Sequence, residues 1–380
     1  QTMNKFLWEG IDCDEYGEYT ERSAGMYNVV CDRSFIQLAH TMNDKKFLEY
    51  PIRNMRLMRS FFEPDGTICT LNSVRQDRGT KVYWDTYNVV FMVLAYETGD
   101  PEFAYYANKW LNERMCDAQR SEKPYGYTDP YLMYWFLINE DWQNKADKIE
   151  AKLPDRDIDV YLPESGMARI YKKGSALTVC RTNTPGFLKF QIGSKYLLAR
   201  FAGSFFGNPH SQFRPKIMEK TETGFRLVSN EEAGYRSQFD EAPETSVWRH
   251  MDHSKRHIIN VQNFDTVIDV TPKDDGFALD ISFDGASRIP VKLELLIAPD
   301  CKVMTDSVNF MARSGDYVYF KNGKMTVRYQ DGVAFELTGG SYKLFGSENM
   351  RGADPRPHDN FTVCINSQTP GTMHLELKRI

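Results

Sequence analysis

The sequence lacks the features that define several large classes of protein. Its seven cysteines form no CxxC motif and no paired spacing, which argues against a disulfide framework or a zinc site. No run approaches the ~18 consecutive apolar residues that a membrane-spanning helix needs. Basic residues number 47 and acidic residues 52, so the formal net charge is −5. That balance argues against a nucleic-acid binder, which normally carries a basic surface.

Common catalytic signatures are also missing. The sequence has no GxSxG elbow, no Walker-type phosphate loop, no HExxH helix and no GxGxxG turn after a strand. One histidine-rich run contains His250, His253 and His257. On a strand His250 and His253 would point to opposite faces, so we interpret the run as a solvated strand and turn. The sequence therefore predicts no metal site and no cofactor.

Aromatic residues are abundant and make up 13% of the 380 residues. Rings near loops and helix starts can form stacking platforms for sugars, because a flat apolar face with a polar edge suits a pyranose. Packing inside a large core is the alternative. The length predicts two to three domains at ~150 residues each.

The first part of the chain has the periodicity of helices. Apolar residues after Tyr27 recur at the spacing of one helix face, and Asp44 can cap a second helix. Pro51 should bend that second helix or mark its true first turn. Residues 84–97 are apolar on nearly all sides, which predicts a buried helix ended by Gly99. Short connections between these helices predict antiparallel hairpins.

Beyond residue 154 the period changes to two. Apolar and polar residues alternate over 277–283, 291–295 and 373–377, and Asn322-Gly323 has the pattern of a two-residue hairpin turn. The predicted fold class is α+β and multidomain. Residues 1–154 would form α-helical hairpins, and residues 155–380 a large antiparallel β-sandwich.

Two segments interrupt this regular pattern. Residues 63–80 have no periodicity and contain several polar and cationic side chains, which predicts an ordered binding loop in which the stretch from Asn72 to Arg78 faces a cleft. Residues 203–215 form a second loop that contains His210 and Gln212.

Three motifs suggest a family. They are the polar turn from Tyr19 to Asn28 that enters a helix, the segment from Ser165 to Arg169, and the loop around His210. Together they resemble the heparinase II/III-like polysaccharide lyases and related alginate lyases. The resemblance implies a partial (α/α) toroid followed by a β-sandwich, as the C-terminal part of a longer chain. It also implies a periplasmic or extracellular location and an acidic polysaccharide as the partner.

The same resemblance implies β-elimination at a uronate. This reaction must neutralise the uronate carboxylate, remove the C5 proton and protonate the leaving oxygen. Tyr27 and His210 are the expected catalytic pair. The expected substrate-binding residues are polar or aromatic side chains of the helical part and the two loops: Arg22, Asn28, Asn72, Arg78, Trp84, Tyr87 and Gln212.

Two other functions are open on the sequence. A non-catalytic glycan-binding protein or degenerate lyase would stack sugars on Trp84, Tyr87 or Tyr127 without turnover. A glycoside hydrolase would need two carboxylates ~5–10 Å apart, with Glu21, Asp77 and Asp85 as the nearest candidates. Trp84 and Tyr87 could instead be core residues of the apolar helix.

Overall fold

Among the described residues, seven α-helices occupy the first part of the chain, and capping residues fix several of their ends. The structure is a computed structural model that describes residues 2–83, 87–108, 131–155, 157–181, 186–340 and 350–380. The helices are α1 (Thr2–Glu9), α2 (Tyr27–Met42), α3 (Glu49–Phe61), α4 (Asn88–Thr98), α5 (residues 101–108), α6 (Tyr131–Ile138) and α7 (Asp141–Ala146). Helix α2 begins at Tyr27, where the sequence pattern placed its start.

The predicted caps account for the ends of α3 and α4. Asp44 caps a short 3-10 turn, Lys45–Leu48, by accepting a hydrogen bond from the backbone of Lys46. Pro51 lies in the first turn of α3, where a missing N–H costs nothing. Gly99 ends α4 in the left-handed conformation that glycine adopts without strain. These three predictions are confirmed.

Helix α4 is buried along its length, as its uniformly apolar sequence predicts. Every residue from Asn88 to Ala95 is buried, so the helix has no solvent-facing side over this stretch. Two short strands, β1 (Thr67–Ile68) and β2 (Val82–Tyr83), pair across the loop that precedes it. Strands β3 (Ile158–Leu162) and β4 (Met167–Lys172) then pair antiparallel.

Strands dominate the rest of the chain. They are β5 (Ser175–Cys180), β6 (Leu188–Ile192), β7 (Lys195–Gly203), β8 (Ile217–Lys220), β9 (Phe225–Arg236), β10 (Ile258–Lys273), β11 (Gly276–Gly285), β12 (Pro290–Ile297), β13 (Cys301–Met304), β14 (Asn309–Ala312), β15 (Tyr317–Tyr319), β16 (Gly323–Arg328), β17 (Ala334–Gly339), β18 (Phe361–Gln368) and β19 (Gly371–Arg379). One sheet has the order β14-β13-β16-β17-β19-β11-β10-β9-β8, and another contains the order β15-β18-β12-β7-β6-β5. The predicted large antiparallel sheets are confirmed.

The two large sheets pack face to face through alternate side chains. In β11, Phe277, Leu279 and Ile281 are buried, as the period of two requires. The Phe201 ring of β7 stacks on the Phe283 ring of β11 with centroids 5.8 Å apart. The core of this region therefore lies between the sheets.

Two predictions about local strand structure are wrong. The Asn322-Gly323 signal does not make a hairpin, because β15 pairs parallel with β18 while β16 pairs with β13 and β17 in the other sheet. The histidine-rich run is solvated as predicted, but His250 and His253 lie in short 3-10 turns rather than on a strand. His257 pairs with Asp240 at 3.1 Å, and both are exposed.

The chain divides into two compact units, Gln1–Ala176 and Leu177–Ile380. The last helix ends at Ala146 and β3 begins at Ile158, so the change of secondary structure falls near the predicted residue 154. The division between the units lies within β5, and the domain boundary at 154 stays a prediction. In the described parts of the chain, no helix is long and apolar enough to cross a membrane.

Candidate functional site

Tyr27 lies at the first position of α2, with its side chain partly exposed. Its backbone N–H donates to the Ser23 hydroxyl at 3.1 Å, which satisfies one of the free donors at the helix start. The Gln76 amide donates to the Tyr27 hydroxyl at 3.3 Å, and the Arg75 guanidinium lies 4.9 Å from the ring centroid. These two neighbours, Gln76 first, lower the pKa of Tyr27 because both stabilise the phenolate.

Asp77 fixes the turn that delivers Tyr27. Its buried carboxylate accepts hydrogen bonds from the Ser23 hydroxyl at 3.0 Å, the Gly25 backbone N–H at 2.9 Å and the Ser73 hydroxyl at 2.5 Å. A Cβ added at Gly25 would lie 2.8 Å from the Asp77 carboxylate, so the close approach requires glycine. The turn from Tyr19 to Asn28 and the loop at 63–80 are therefore joined by this one side chain.

The loop places Asn72 inward rather than toward a cleft. Asn72 is buried, and its amide donates to Glu18 at 2.9 Å. Burial raises the pKa of Glu18 to about 7 against the opposing charge of Arg22. Asn28 is also buried, against Met58. Both asparagine side chains are almost fully buried, and their predicted substrate contacts stay predictions.

Arg22 and Arg78 are both partly exposed on these segments. Arg22 has a positive φ of 51°, which is uncommon outside glycine and asparagine. The Arg78 side chain donates to the Ser73 carbonyl and so binds its own loop. Their roles in substrate binding stay predictions.

Tyr87 is a core residue. It is fully buried, and its hydroxyl donates to the Ala24 carbonyl at 2.6 Å. The predicted stacking surface at Tyr87 is wrong, because a ring without exposed area cannot meet a sugar. Trp84, Asp85 and Tyr127 lie outside the described residues. Asp77, one hydrolase candidate, is buried with both carboxylate oxygens in hydrogen bonds.

In the second unit, His210 lies on the loop after β7 and its ring is about one third exposed. Its Nδ1 lies 2.7 Å from the Glu231 carboxylate on β9, and Lys216 lies 2.9 Å from the other oxygen of that carboxylate. Burial alone would raise the pKa of Glu231, but hydrogen bonds from Lys216 and His210 outweigh it and lower the pKa. Tyr27 and His210 belong to different units, and their pairing stays a prediction.

Gln212 has a structural position two residues further along. It is buried, its amide donates to the Phe201 carbonyl at 2.9 Å, and its oxygen accepts from the Asp354 backbone at 3.2 Å. Both ends of the side chain are engaged within the protein, and its predicted substrate contact stays a prediction.

The His210 loop also carries aromatic rings that sequence reasoning did not select. Phe206, with a positive φ of 51°, packs on Tyr235 at a centroid distance of 4.8 Å, and Tyr235 is 61% exposed. Phe205 connects this pair to the edge of the His210 ring at 6.4 Å. The arrangement offers an exposed aromatic surface next to an ionisable ring.

Arg75 and Gln76 lie in the stretch 72–78 that the sequence predicts to face a cleft, although an aperiodic run gives no signal for which of its side chains point outward. Glu231 is a neighbour of His210 that the sequence did not select. Glu231 lies on a strand, and its contact with His210 spans 21 residues, so no local pattern could reveal it. In the described ranges, no group of histidine, cysteine, aspartate and glutamate could hold a metal ion.

The sequence matches no family model, and no curated protein matches it significantly. Among solved structures, a heparinase III gene product with methylated lysines has a TM-score of 0.53 and 9% identity, covering 100% of this chain and 54% of its own. A heparan sulfate lyase HepC mutant from Pedobacter heparinus has a TM-score of 0.47 and 9% identity, covering 99% of this chain and 55% of its own.

The likeness to heparinase III shows a distant relation of fold. The chain spans about half the length of the solved structures that it matches. The fold therefore agrees with the family resemblance inferred from the sequence, and this agreement concerns the fold alone.

Proposed function

We propose that this chain belongs to a lyase that cleaves an acidic, uronate-containing polysaccharide by β-elimination. In this proposal the helices of the first unit form part of an (α/α) toroid, and the protein acts in the periplasm or outside the cell. The fold relation to heparinase III supports the class of reaction. The site around Tyr27 supports the chemistry.

The observation that carries the proposal is the environment of the Tyr27 hydroxyl. β-Elimination needs a base to remove the C5 proton of the uronate. A tyrosine phenolate can do so, and it forms more readily when the pKa of the tyrosine hydroxyl is lowered. Gln76 and Arg75 lower the pKa of Tyr27, and the partly exposed side chain can meet a substrate. The C5–H electrons then form the C4–C5 double bond as the bond from C4 to the glycosidic oxygen breaks.

Arg75 can serve the substrate carboxylate in the same step. Its side chain is 42% exposed, and its partner Glu21 lies 3.6 Å away. An exposed pair of this kind is screened by solvent and contributes little stability, so a substrate carboxylate can displace Glu21. A guanidinium can then bind the carboxylate with two hydrogen bonds and stabilise the charge that develops there. His210 would protonate the leaving oxygen.

The test is an assay of product formation with Tyr27→Phe. The substrate panel consists of heparan sulfate, hyaluronan, alginate and pectate, and the readout is the ultraviolet absorbance of the unsaturated uronate product. Removing the hydroxyl should lower kcat at least 100-fold with little change in melting temperature. Tyr16→Phe, the same change at an exposed tyrosine of the same unit, should leave kcat unchanged.

Equal activity of the Tyr27→Phe and Tyr16→Phe proteins would remove Tyr27 from the reaction. No product from any polysaccharide would contradict the lyase proposal. If oligosaccharides nevertheless bound, the second candidate, a non-catalytic glycan-binding protein, would be favoured. The exposed pair of Phe206 and Tyr235 supports that candidate, because two adjacent rings can stack against sugars without catalysis.

A further inference from the structure

The contacts of His210 distinguish its two ring nitrogens. Nδ1 lies 2.7 Å from one oxygen of Glu231, while Lys216 contacts the other oxygen of the same carboxylate. For Nε2, no hydrogen bond is found to any residue in the described part of the chain. The ring thus has one nitrogen facing a carboxylate and one available to an incoming group.

We propose that Glu231 is a positioning residue that holds His210 in the Nδ1–H tautomer and so makes Nε2 the nitrogen that exchanges protons with substrate. This inference rests on the proposed role of His210 in the lyase reaction. Under this proposal Glu231 orients the His210 ring, and Nε2 is the atom that transfers the proton.

The chemistry of the two side chains sets the tautomer. Neutral imidazole has one N–H donor and one lone pair, whereas an ionised carboxylate can only accept hydrogen bonds. At 2.7 Å, Nδ1 must therefore carry the proton of the neutral ring, which leaves the lone pair on Nε2. The protonated ring carries its second proton on Nε2, and giving that proton to the leaving oxygen returns the ring to the Nδ1–H form. Lys216 helps to keep Glu231 ionised, because a cation 2.9 Å from the carboxylate favours its charged form.

The loop around His210 also restricts the ring. The His210 backbone N–H donates to the Gly207 carbonyl at 2.8 Å, and the Phe205 ring lies edge-on to the imidazole. The next residue, Ser211, donates its hydroxyl to the Phe205 carbonyl at 3.0 Å. The backbone that carries the ring is thereby tied at both ends of the turn. Within the described residues, Glu231 and Lys216 are the charged groups in contact with this site.

The first experiment measures the tautomer directly. Nitrogen-15 chemical shifts of the His210 ring in the full chain at pH 8 should show more than 90% of the neutral ring as the Nδ1–H form. Glu231→Gln should lower this fraction, because the replacement amide can donate as well as accept. Asp280→Asn, which alters the exposed pair of His374 and Asp280 at 2.7 Å, is the matched control and should leave His210 unchanged.

The second experiment measures turnover by the same proteins. Glu231→Gln should lower kcat on the cleaved polysaccharide by 10- to 100-fold, leave KM within about twofold and move the alkaline limb of the pH–rate profile, where a general acid loses its proton. Asp280→Asn should do neither. A mixed or Nε2–H tautomer in the unaltered protein, or an unchanged tautomer in Glu231→Gln, would overturn the assignment. A fixed Nδ1–H tautomer in a protein without lyase activity would instead contradict only the proposed function.

Discussion

Glu18 and Tyr27 lie close in the chain, yet their pKa values are displaced for opposite physical reasons. Glu18 is buried, and the loss of hydration disfavours its charged form, so its pKa rises to about 7. Tyr27 keeps contact with solvent and gains hydrogen-bond donors, which favour the phenolate. One residue thus tends to hold a proton at neutral pH, and the other releases its proton more readily.

The raised pKa of Glu18 predicts how stability depends on pH. Between pH 4.5 and about 7 the folded state keeps a proton that the unfolded chain has lost, so the free energy of unfolding falls as pH rises through this range. A pKa displaced from 4.5 to about 7 corresponds to a loss on the order of 3 kcal/mol. Glu18→Gln should be more stable than the unaltered protein at pH 8 and similar at pH 4.5.

Urea unfolding at the two pH values measures this difference. The replacement amide keeps an oxygen for the hydrogen bond from Asn72, so the change isolates the ionisation. Glu15→Gln, at an exposed position, should change stability by less than ~0.5 kcal/mol at either pH. A Glu18→Gln protein no more stable than the unaltered protein at pH 8 would show that Glu18 ionises at its ordinary pKa.

At the scale of secondary-structure elements, the features that the sequence predicts correctly are those that depend on neighbouring residues. The start of α2, the cap at Asp44, the first turn at Pro51 and the end of α4 at Gly99 all depend on residues within a few positions. The hairpin at Asn322-Gly323 failed because β15 pairs with β18, more than forty residues away in the chain. A turn signal predicts a local bend in the chain, but it does not determine which strands pair with each other.

The candidate site likewise has features that the sequence could predict and features that it could not. The loop at 63–80 could be recognised from its lack of period, and the structure orders it around Asp77. Which of its side chains face inward could not be predicted, because direction follows from period in helices and strands and an aperiodic loop has none. The whole stretch 72–78 was therefore expected to face outward, whereas Asn72 and Asp77 are buried and Arg75 and Gln76 are exposed.

A buried ion pair links β4 to the end of α3. Arg169 donates to Glu63 at 2.9 Å and to the Ser60 carbonyl at 2.9 Å, with both side chains almost fully buried. Arg169→Met removes the cation beside a buried carboxylate and should cost ~3–5 kcal/mol. The double change Arg169→Met with Glu63→Leu should recover part of this loss, as measured by chemical denaturation.

The matched control is an exposed pair in the other unit. Arg226 contacts Asp269 at 2.8 Å with half of its side chain exposed, so Arg226→Met should destabilise the protein far less than Arg169→Met. Equal losses for Arg169→Met and Arg226→Met would show that the buried pair is not the stronger constraint.

At the scale of the whole molecule, solubility and the ionisation of Glu18 favour different pH ranges. The formal net charge is −5 at pH 7, and the calculated isoelectric point is about 5.9. Solubility should therefore be lowest near pH 6 and rise toward pH 8, because self-repulsion grows with net charge. A series of turbidity measurements against pH checks this, and a flat series would contradict it. Glu18, by contrast, favours the folded state on the acidic side.

The hydrogen bonds of Asp77 also bear on when the pKa of Tyr27 is lowered during synthesis of the chain. They join groups 54 and 52 residues apart in the chain, at Ser23 and Gly25. The segment before α2 is made well before the loop that holds it, so a nascent chain carries Tyr27 without Gln76 or Arg75 beside it. In that state the hydroxyl keeps the acidity of an ordinary tyrosine. The lowered pKa of Tyr27 therefore depends on the long-range contact and marks its formation.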